Sequence, residues 1–213
     1  MFYLVLLNGY AQSESRTEKT LQTKSDRIEL IFSEIDKIEI ESSEKDLIEV
    51  VAVNHFGRFS GFTLEETGGI VHVISEMPIK SEEREFKSCG IQPDFSTYSV
   101  KIPNGKSVFL QVQEGNVEVH NFRGNLQLNL GKGFADFKNY LGKIQVQMNV
   151  GNINSDMNNS KFEVETQLGN IFVNDLVVPK KNEASSWSGK CGDPVSNVII
   201  KATHANIFLK EFK

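Results

Sequence analysis

Two cysteines, one tryptophan and four histidines are all that 213 residues supply of the side chains that most often carry redox, stacking and metal chemistry. The histidines, His55, His72, His120 and His204, lie singly, with neither H-E-x-x-H spacing nor a neighbouring cysteine pair to complete a zinc site. No G-x-S-x-G nucleophile elbow is present. No apolar run approaches the ~18 residues of a membrane-crossing helix. Basic residues number 23 against 28 acidic, for a net charge of -5, and no basic stripe gathers them; this favours solubility and argues against a nucleic-acid partner.

What charge there is falls unevenly. Residues 1–107 hold 12 basic and 18 acidic side chains, and residues 108–213 hold 11 and 10, so the acidity sits in the first half. The start, MFYLVLLNGYAQS, is apolar from Phe2 to Leu7 and then places small residues at Gly9 and Ala11, the small-x-small pattern of signal-peptidase cleavage. Residues 1–12 are therefore expected to be a truncated signal peptide, with a buried first strand as the alternative, and the chain is expected to be secreted, periplasmic or associated with the outer envelope. In an oxidising compartment Cys89 (KSCGI) and Cys191 (GKCGD) form a candidate disulfide, with free thiols as the other reading.

From Thr23 to Val112 apolar residues alternate, as in Ile28, Leu30 and Phe32, Ile38 and Ile40, or Tyr98, Val100 and Ile102. Period two predicts strands with one wet face. Ser75–Asp94 breaks the pattern with two prolines and a charge cluster, which predicts a long connection.

The second half keeps a nine-residue clock: Gly115, Gly124, Gly133, Gly142 and Gly151, with Gly169 two further steps on. Two residues after successive frame starts stand Val108, Val117, Leu126, Ala135, Ile144, Ile153, Phe162 and Ile171. Two further on stand Leu110, Val119, Leu128, Phe137, Val146, Ser155, Val164 and Val173, and both columns are expected to point inward. Ser196 and Ala205 resume the frame after an interruption that preserves its length. Nine residues are too few to close around a core, but two units make a coil of about 18, in the range of solenoid repeats. Residues 18 apart would stack, with glycine turning the corner and the asparagines that often follow it laddering amide to amide.

The prediction is an all-β chain: a single-stranded-type β-solenoid of about 18-residue coils, each made of two nine-residue units, behind a strand-rich N-terminal portion. Residues 13–213 would be one domain, with strands and connection at 23–95 and the repeats at 96–213, including a loop insert at 179–195. A meander of hairpins is the structural rival. The repeated GNVEV, GNLQL, GKIQV, GNIN and GNIFV, behind FSEIDKIEIES and a leader, resemble the adhesin-like β-solenoid family of auto-transporter adhesin or head GIN domains. That resemblance implies an envelope-associated or secreted protein, and it supplies no catalytic residues.

Candidate chemistry is sparse. Calcium-binding β-rolls also repeat every nine residues, but Asp136, Asp156 and Asp175 fall at different frame positions. Glu163 and Glu165 share a strand face and alternate with Phe162 and Val164, as on an ordinary solvated strand. The insert PKKNEASSWSGKCGDP holds Trp187, a candidate ligand contact or a cover for the open side of a coil. No catalytic residue, cofactor site or metal site is assigned. The expected function is structural or adhesive and non-enzymatic, with an envelope protein or a glycan as partner. A carbohydrate-binding module or degenerate carbohydrate-active β-helix, and a periplasmic sensor or scaffold, are the alternatives.

Overall fold

The computed structural model describes residues 15–54, 61–75, 96–180 and 184–211. The candidate leader at 1–12, Cys89, His55 and almost all of the connection after Ser75 lie outside the described residues. The described residues form strands and no helix. In chain order these are β1 (Ser15–Gln22), β2 (Arg27–Ser43), β3 (Leu47–Asn54), β4 (Phe62–Thr67), β5 (Ile70–Ser75), β6 (Thr97–Pro103), β7 (Ser107–His120), β8 (Asn125–Lys138), β9 (Lys143–Asp156), β10 (Ser160–Thr166), β11 (Ile171–Val173), β12 (Leu176–Val177), β13 (Ser185–Lys190) and β14 (Ser196–Lys210).

The eighteen-residue spacing is the register of the central ladder. Val108 pairs with Leu126 and Leu126 with Ile144, all in parallel, and Gly115, Gly133 and Gly151 face one another across β7, β8 and β9. Each long strand has two arms that meet at its glycine. In β7 the inward residues are Val108, Leu110 and Val112, then Val117 and Val119, all buried; the parity of the alternation switches across Gly115. The same switch falls at Gly133, Gly151 and Ala205. Gly115, Gly133 and Gly151 have φ of 151°, 145° and 143°, a backbone that side-chain-bearing residues rarely adopt. A Cβ on Gly133 would stand 1.8 Å from the Gly115 carbonyl oxygen, so the corner of β8 is closed to any side chain; in β14 Ala205 takes the corresponding place beside Gly151. The turns from β7 to β8 and from β8 to β9 use left-handed asparagine, at Asn121 and Asn139.

Both inward columns are buried from Val108 to Val164, and only Val173 is partly exposed. Each fully buried aliphatic side chain contributes roughly 1.5–3 kcal/mol relative to exposure. Phe172, outward on its strand, meets the ring of Phe208 face to face at 4.7 Å.

A uniform stack of coils is not what the chain builds. The strand that follows the eighteen-residue register onto β9 is β14, pairing Val198 with Ile144 and Ala205 with Gly151. Next comes β10, parallel to β14 through Phe162 and Val198, so the C-terminal strand lies between two strands that precede it. The frame resumed at Ser196 is in register, but one place further in than chain order suggests. The N-terminal end does likewise: β2 lies between β7 on one side and β5 and β6 on the other. The outer strands are antiparallel, β1 on β3 and β13 on β10, so the sheet is mixed and open; its main path ends at β1 and β13, and two side branches end at β4, on β5, and at β12, on β11. The stretch expected as a loop insert supplies an edge strand, because Ser185 and Trp187 can face inward while Ser186 and Ser188 face solvent.

Candidate functional site

The turns that follow β7, β8 and β9 lie side by side and form a groove. Asn121, Asn139 and Asn159 have φ of 52°, 48° and 48°, and Asn139 Nδ2 donates to Asn121 Oδ1 at 2.6 Å, the first step of an amide ladder. With Ser42, Arg123 and Asp156 they line a cavity of about 720 Å³ that crosses successive strands. Tyr140 closes its floor, donating from its hydroxyl to the Asp156 carbonyl at 2.7 Å, and burial pushes its own titration upward. Burial likewise raises the Asp156 carboxyl, against a backbone hydrogen bond from Asn139 that lowers it. The asparagines owe their places to left-handed backbone, so the amide character of this groove is first a consequence of turning the chain.

The outer face of the second arms is ionic. Lys138 Nζ lies 2.6 Å from Asp136 Oδ2, and His120 Nε2 lies 3.6 Å from the same oxygen. Lys37 bridges Glu39 and Glu118. Lys37 and Lys138 titrate above the ordinary lysine value, each chiefly through its hydrogen bond to a carboxylate, Glu39 and Asp136 respectively. Lys37–Glu39 and Lys138–Asp136 are pairs within one strand, whereas Lys37–Glu118 joins β2 to β7 and His120–Asp136 joins β7 to β8. Glu163 is fully exposed and hydrogen-bonded by Lys161, which lowers its titration; it and Glu165 lie on a solvated face. Among the described residues no group of three or more His, Cys, Asp or Glu could hold a metal ion. Asp175, in a tight turn, pairs with Lys210 at 3.1 Å, the residue that faces Asp156 between β14 and β9.

Trp187 stands half-buried on β13, paired with Val164 and with its ring centroid 6.2 Å from that of Phe162. It covers the inward side of the last coil. Cys191 carries no disulfide in this structure; its thiol donates to Glu211 Oε1 at 3.1 Å, and that contact chiefly raises its titration. Trp187 and Cys191 both pack against the core from the same end of the sheet.

One surface escaped sequence reasoning. The outward side of the first arms of β7, β8 and β9 carries Gln111, Gln127, Gln145 and Gln147 in the gaps between buried columns, with two hollows of about 200 and 590 Å³. Its signal was in the frame: three residues after alternate frame starts, counted from Lys106, stand Phe109, Gln127 and Gln145, and five after stand Gln111, Asn129 and Gln147, whereas the starts between them place Glu118 and Asp136, then His120 and Lys138, at those positions.

No helix among the described residues is long and apolar enough to cross a membrane. No family model and no curated protein matches the chain. Among solved structures it is similar to a protein of Clostridium sporogenes described as a candidate cell adhesion protein, with 12% identity, a TM-score of 0.63, and coverage of 94% of this chain and 100% of that one. A candidate adhesin of Bacteroides fragilis matches with 13% identity over 94% of this chain and 100% of its own, at a TM-score of 0.34. At such identity the Clostridium sporogenes likeness is one of fold.

Proposed function

We propose that the chain is a non-enzymatic, structural or adhesive protein of the cell envelope or its exterior, a β-solenoid of 18-residue coils akin to the head GIN domains. The observation that carries this reading is the likeness of fold, over nearly the whole of both chains, to the protein described as a candidate cell adhesion protein. The lysine-paired carboxylates of the second arms support the same view, because an acid and a base poised for catalysis would need titrations pushed apart and a shared hollow. Export behind a cleaved leader at residues 1–12 belongs to the proposal, as does folding of residues 13–213 in one unit.

The test is to express the tagged full chain in its source cell, fractionate it, and compare adhesion of cells with and without the gene. Recovery in the envelope or medium, with reduced adhesion on deletion, supports the reading. Recovery in the cytosol, or turnover of ester, phosphate or glycoside substrates, would overturn it. Co-purification with a single envelope protein, without an adhesion defect, would favour the scaffold alternative. Pairing of Cys89 with Cys191 is part of the proposal for the exported form, and non-reducing peptide mapping reads it directly. A contact role for Trp187 predicts that Trp187→Ala, which also loses its packing on Phe162, weakens adhesion at a temperature where the variant is still fully folded.

A further inference from the structure

We propose that the outward side of the first arms of β7, β8 and β9 binds a neutral, hydroxyl-rich polysaccharide laid across the strands. This rests on the adhesive reading above and names its ligand class. Five of the nine glutamines in the chain, Gln111, Gln113, Gln127, Gln145 and Gln147, point outward within these three arms. Lys143 and Phe109 stand among them; the other charges of these arms, Glu114 and Lys132, sit next to the glycine corner and pair with each other at 2.7 Å, and the smaller hollow is also lined by Arg27 and Glu29 of β2, themselves 3.9 Å apart. The second arms of the same strands carry Glu118, Asp136, Lys138 and Asp156, so the neutrality belongs to one face and not to the chain.

Backbone conformation does not account for these amides. The asparagines of the turns answer to left-handed φ, whereas the glutamines lie in plain extended strands, where β-branched and charged residues serve a merely solvated face at least as well. Their side chains make no hydrogen bond among the described residues, and the Asn129 Oδ1 beside them is buried without a partner. Each amide offers two donor hydrogens and two acceptor lone pairs in a plane, the complement of sugar hydroxyls that donate and accept at once.

The geometry gives the ligand a direction. Phe109 pairs with Gln127 and Gln127 with Gln145, and Gln111, Asn129 and Gln147 form the next column, each step one strand spacing of about 4.8 Å. That advance is comparable to one sugar of an extended chain. The hollows follow the columns, and the larger one opens at Gly131, where no side chain stands. Phe109 offers a ring face on which a pyranose can stack. The match of charge is to a neutral polymer: Arg27 and Lys132 already face Glu29 and Glu114, so within the three arms uronates and phosphates find only Lys143 without an acidic partner among the described residues, and Arg27 at the rim is the one Trp, Tyr or Arg anchor that lines the two hollows.

The experiment is affinity electrophoresis of the full chain through native gels containing dextran, laminarin, xylan or galactomannan, with hyaluronan as the charged control. Retardation by at least one neutral polymer is expected, insensitive to salt. Gln127→Ala/Gln145→Ala/Gln147→Ala, and separately the near-isosteric Gln127→Glu/Gln145→Glu, should raise the dissociation constant by about ten-fold or more at unchanged melting temperature. Passage unretarded through every neutral gel, retardation by hyaluronan alone, or full retention by both variants would overturn the proposal. So would a wild-type dimer in sedimentation that the variants dissociate, since the face would then join copies of the chain. The same variants in the cell-adhesion assay separate the two readings. Adhesion that persists in the variants defeats the glycan face and leaves the adhesive role standing; adhesion independent of the gene defeats the role itself.

Discussion

Alanine in place of Gly133 puts the glycine column under two loads at once, and two other glycines carry those loads singly. Gly105 has φ of +81° and nothing within 4 Å of where its Cβ would stand. Gly131 lies outside the left-handed region, but its Cβ would meet the Gln113 carbonyl oxygen at 2.3 Å. Gly133 combines φ of +145° with a Cβ 1.8 Å from the Gly115 oxygen and 2.8 Å from its carbonyl carbon. Gly105→Ala therefore suffers only the conformational cost, about 1–2 kcal/mol. Gly131→Ala suffers only the contact. Its obstacle is backbone, unable to swing aside as a side-chain tip would, so the β7–β8 ladder must part locally at ~1 kcal/mol for each hydrogen bond weakened, or roughly 2–3 kcal/mol in all.

Gly133→Ala should cost about 4–6 kcal/mol, because neither load relieves the other: rotating φ toward ordinary values moves the chain off the corner that the contact already crowds. Against a total stability of about 5–15 kcal/mol, that variant should be marginal or unfolded. Urea denaturation at a common slope measures all three. A loss for Gly133→Ala no greater than that of Gly105→Ala would refute the stacked corner. Losses in which Gly131→Ala proves silent would show that the ladder yields at no cost.

Ile153 is fully buried whereas Asn152, on the same arm, is exposed, so Ile153→Asp should bury a charge and abolish cooperative unfolding while Asn152→Asp should shift stability by less than about 0.5 kcal/mol; thermal melts followed by circular dichroism compare them. Burial holds the folded-state titration of Asp156 above its unfolded value, so the folded form binds the proton more tightly and stability falls as pH rises through the window between the two. Asp156→Asn should then be more stable than wild type at pH 7, by a margin that shrinks as pH falls through that window; a margin that grows on acidification would refute the sign. A chain ending at Val195 removes the strand to which β10 and β11 are joined in parallel, so limited proteolysis should cleave within residues 160–180 while leaving β7–β9 protected.

What the sequence made legible was whatever repeats locally. The columns from Val108 to Val164 and the glycine corner follow from side-chain period and from a backbone that only glycine tolerates, and both are written in neighbouring residues. The order of the strands is not. Ala205 lies 54 residues from Gly151 and 36 from Gly169, both whole multiples of eighteen, so the frame fits equally well whether β14 follows β10 or slips inside it. At the other end β2 pairs Arg27 with Ser107 but Lys37 with Asn116, and the bulge between Glu34 and Lys37 carries the register off the nine-residue clock. The edge strand β13 was hidden by its serines, since one inward tryptophan is too little alternation to announce a strand. The amide face was legible in principle: its glutamines occupy fixed frame positions, but outward columns carry no burial signal to draw the eye.

An open stack of parallel strands has two ends, and each is a row of unpaired amides and carbonyls ready to accept another chain. Had the chain simply added coil upon coil, its last strand would have been the fifteen-residue β14, rich in isoleucine and presenting a long parallel edge. Instead β14 is enclosed by β9 and β10, and the outermost strand is the six-residue, serine-rich β13. At the opposite end the seventeen-residue β2 is enclosed in the same way, and the edge is β1, eight residues that include Arg16, Glu18 and Lys19. The two side branches also end short, on the six-residue β4 and the two-residue β12, the latter apolar with Leu176 and Val177 exposed. Short edges discourage strand addition, which is how donor strands and fibrils would otherwise enlist such a sheet. Recognition is thereby moved from backbone to side chains. With the edges kept short and the second arms occupied by their own ion pairs, the amide face of the first arms offers hydrogen-bonding groups that no other described residue engages, and the strand spacing itself sets the interval at which a ligand can be held.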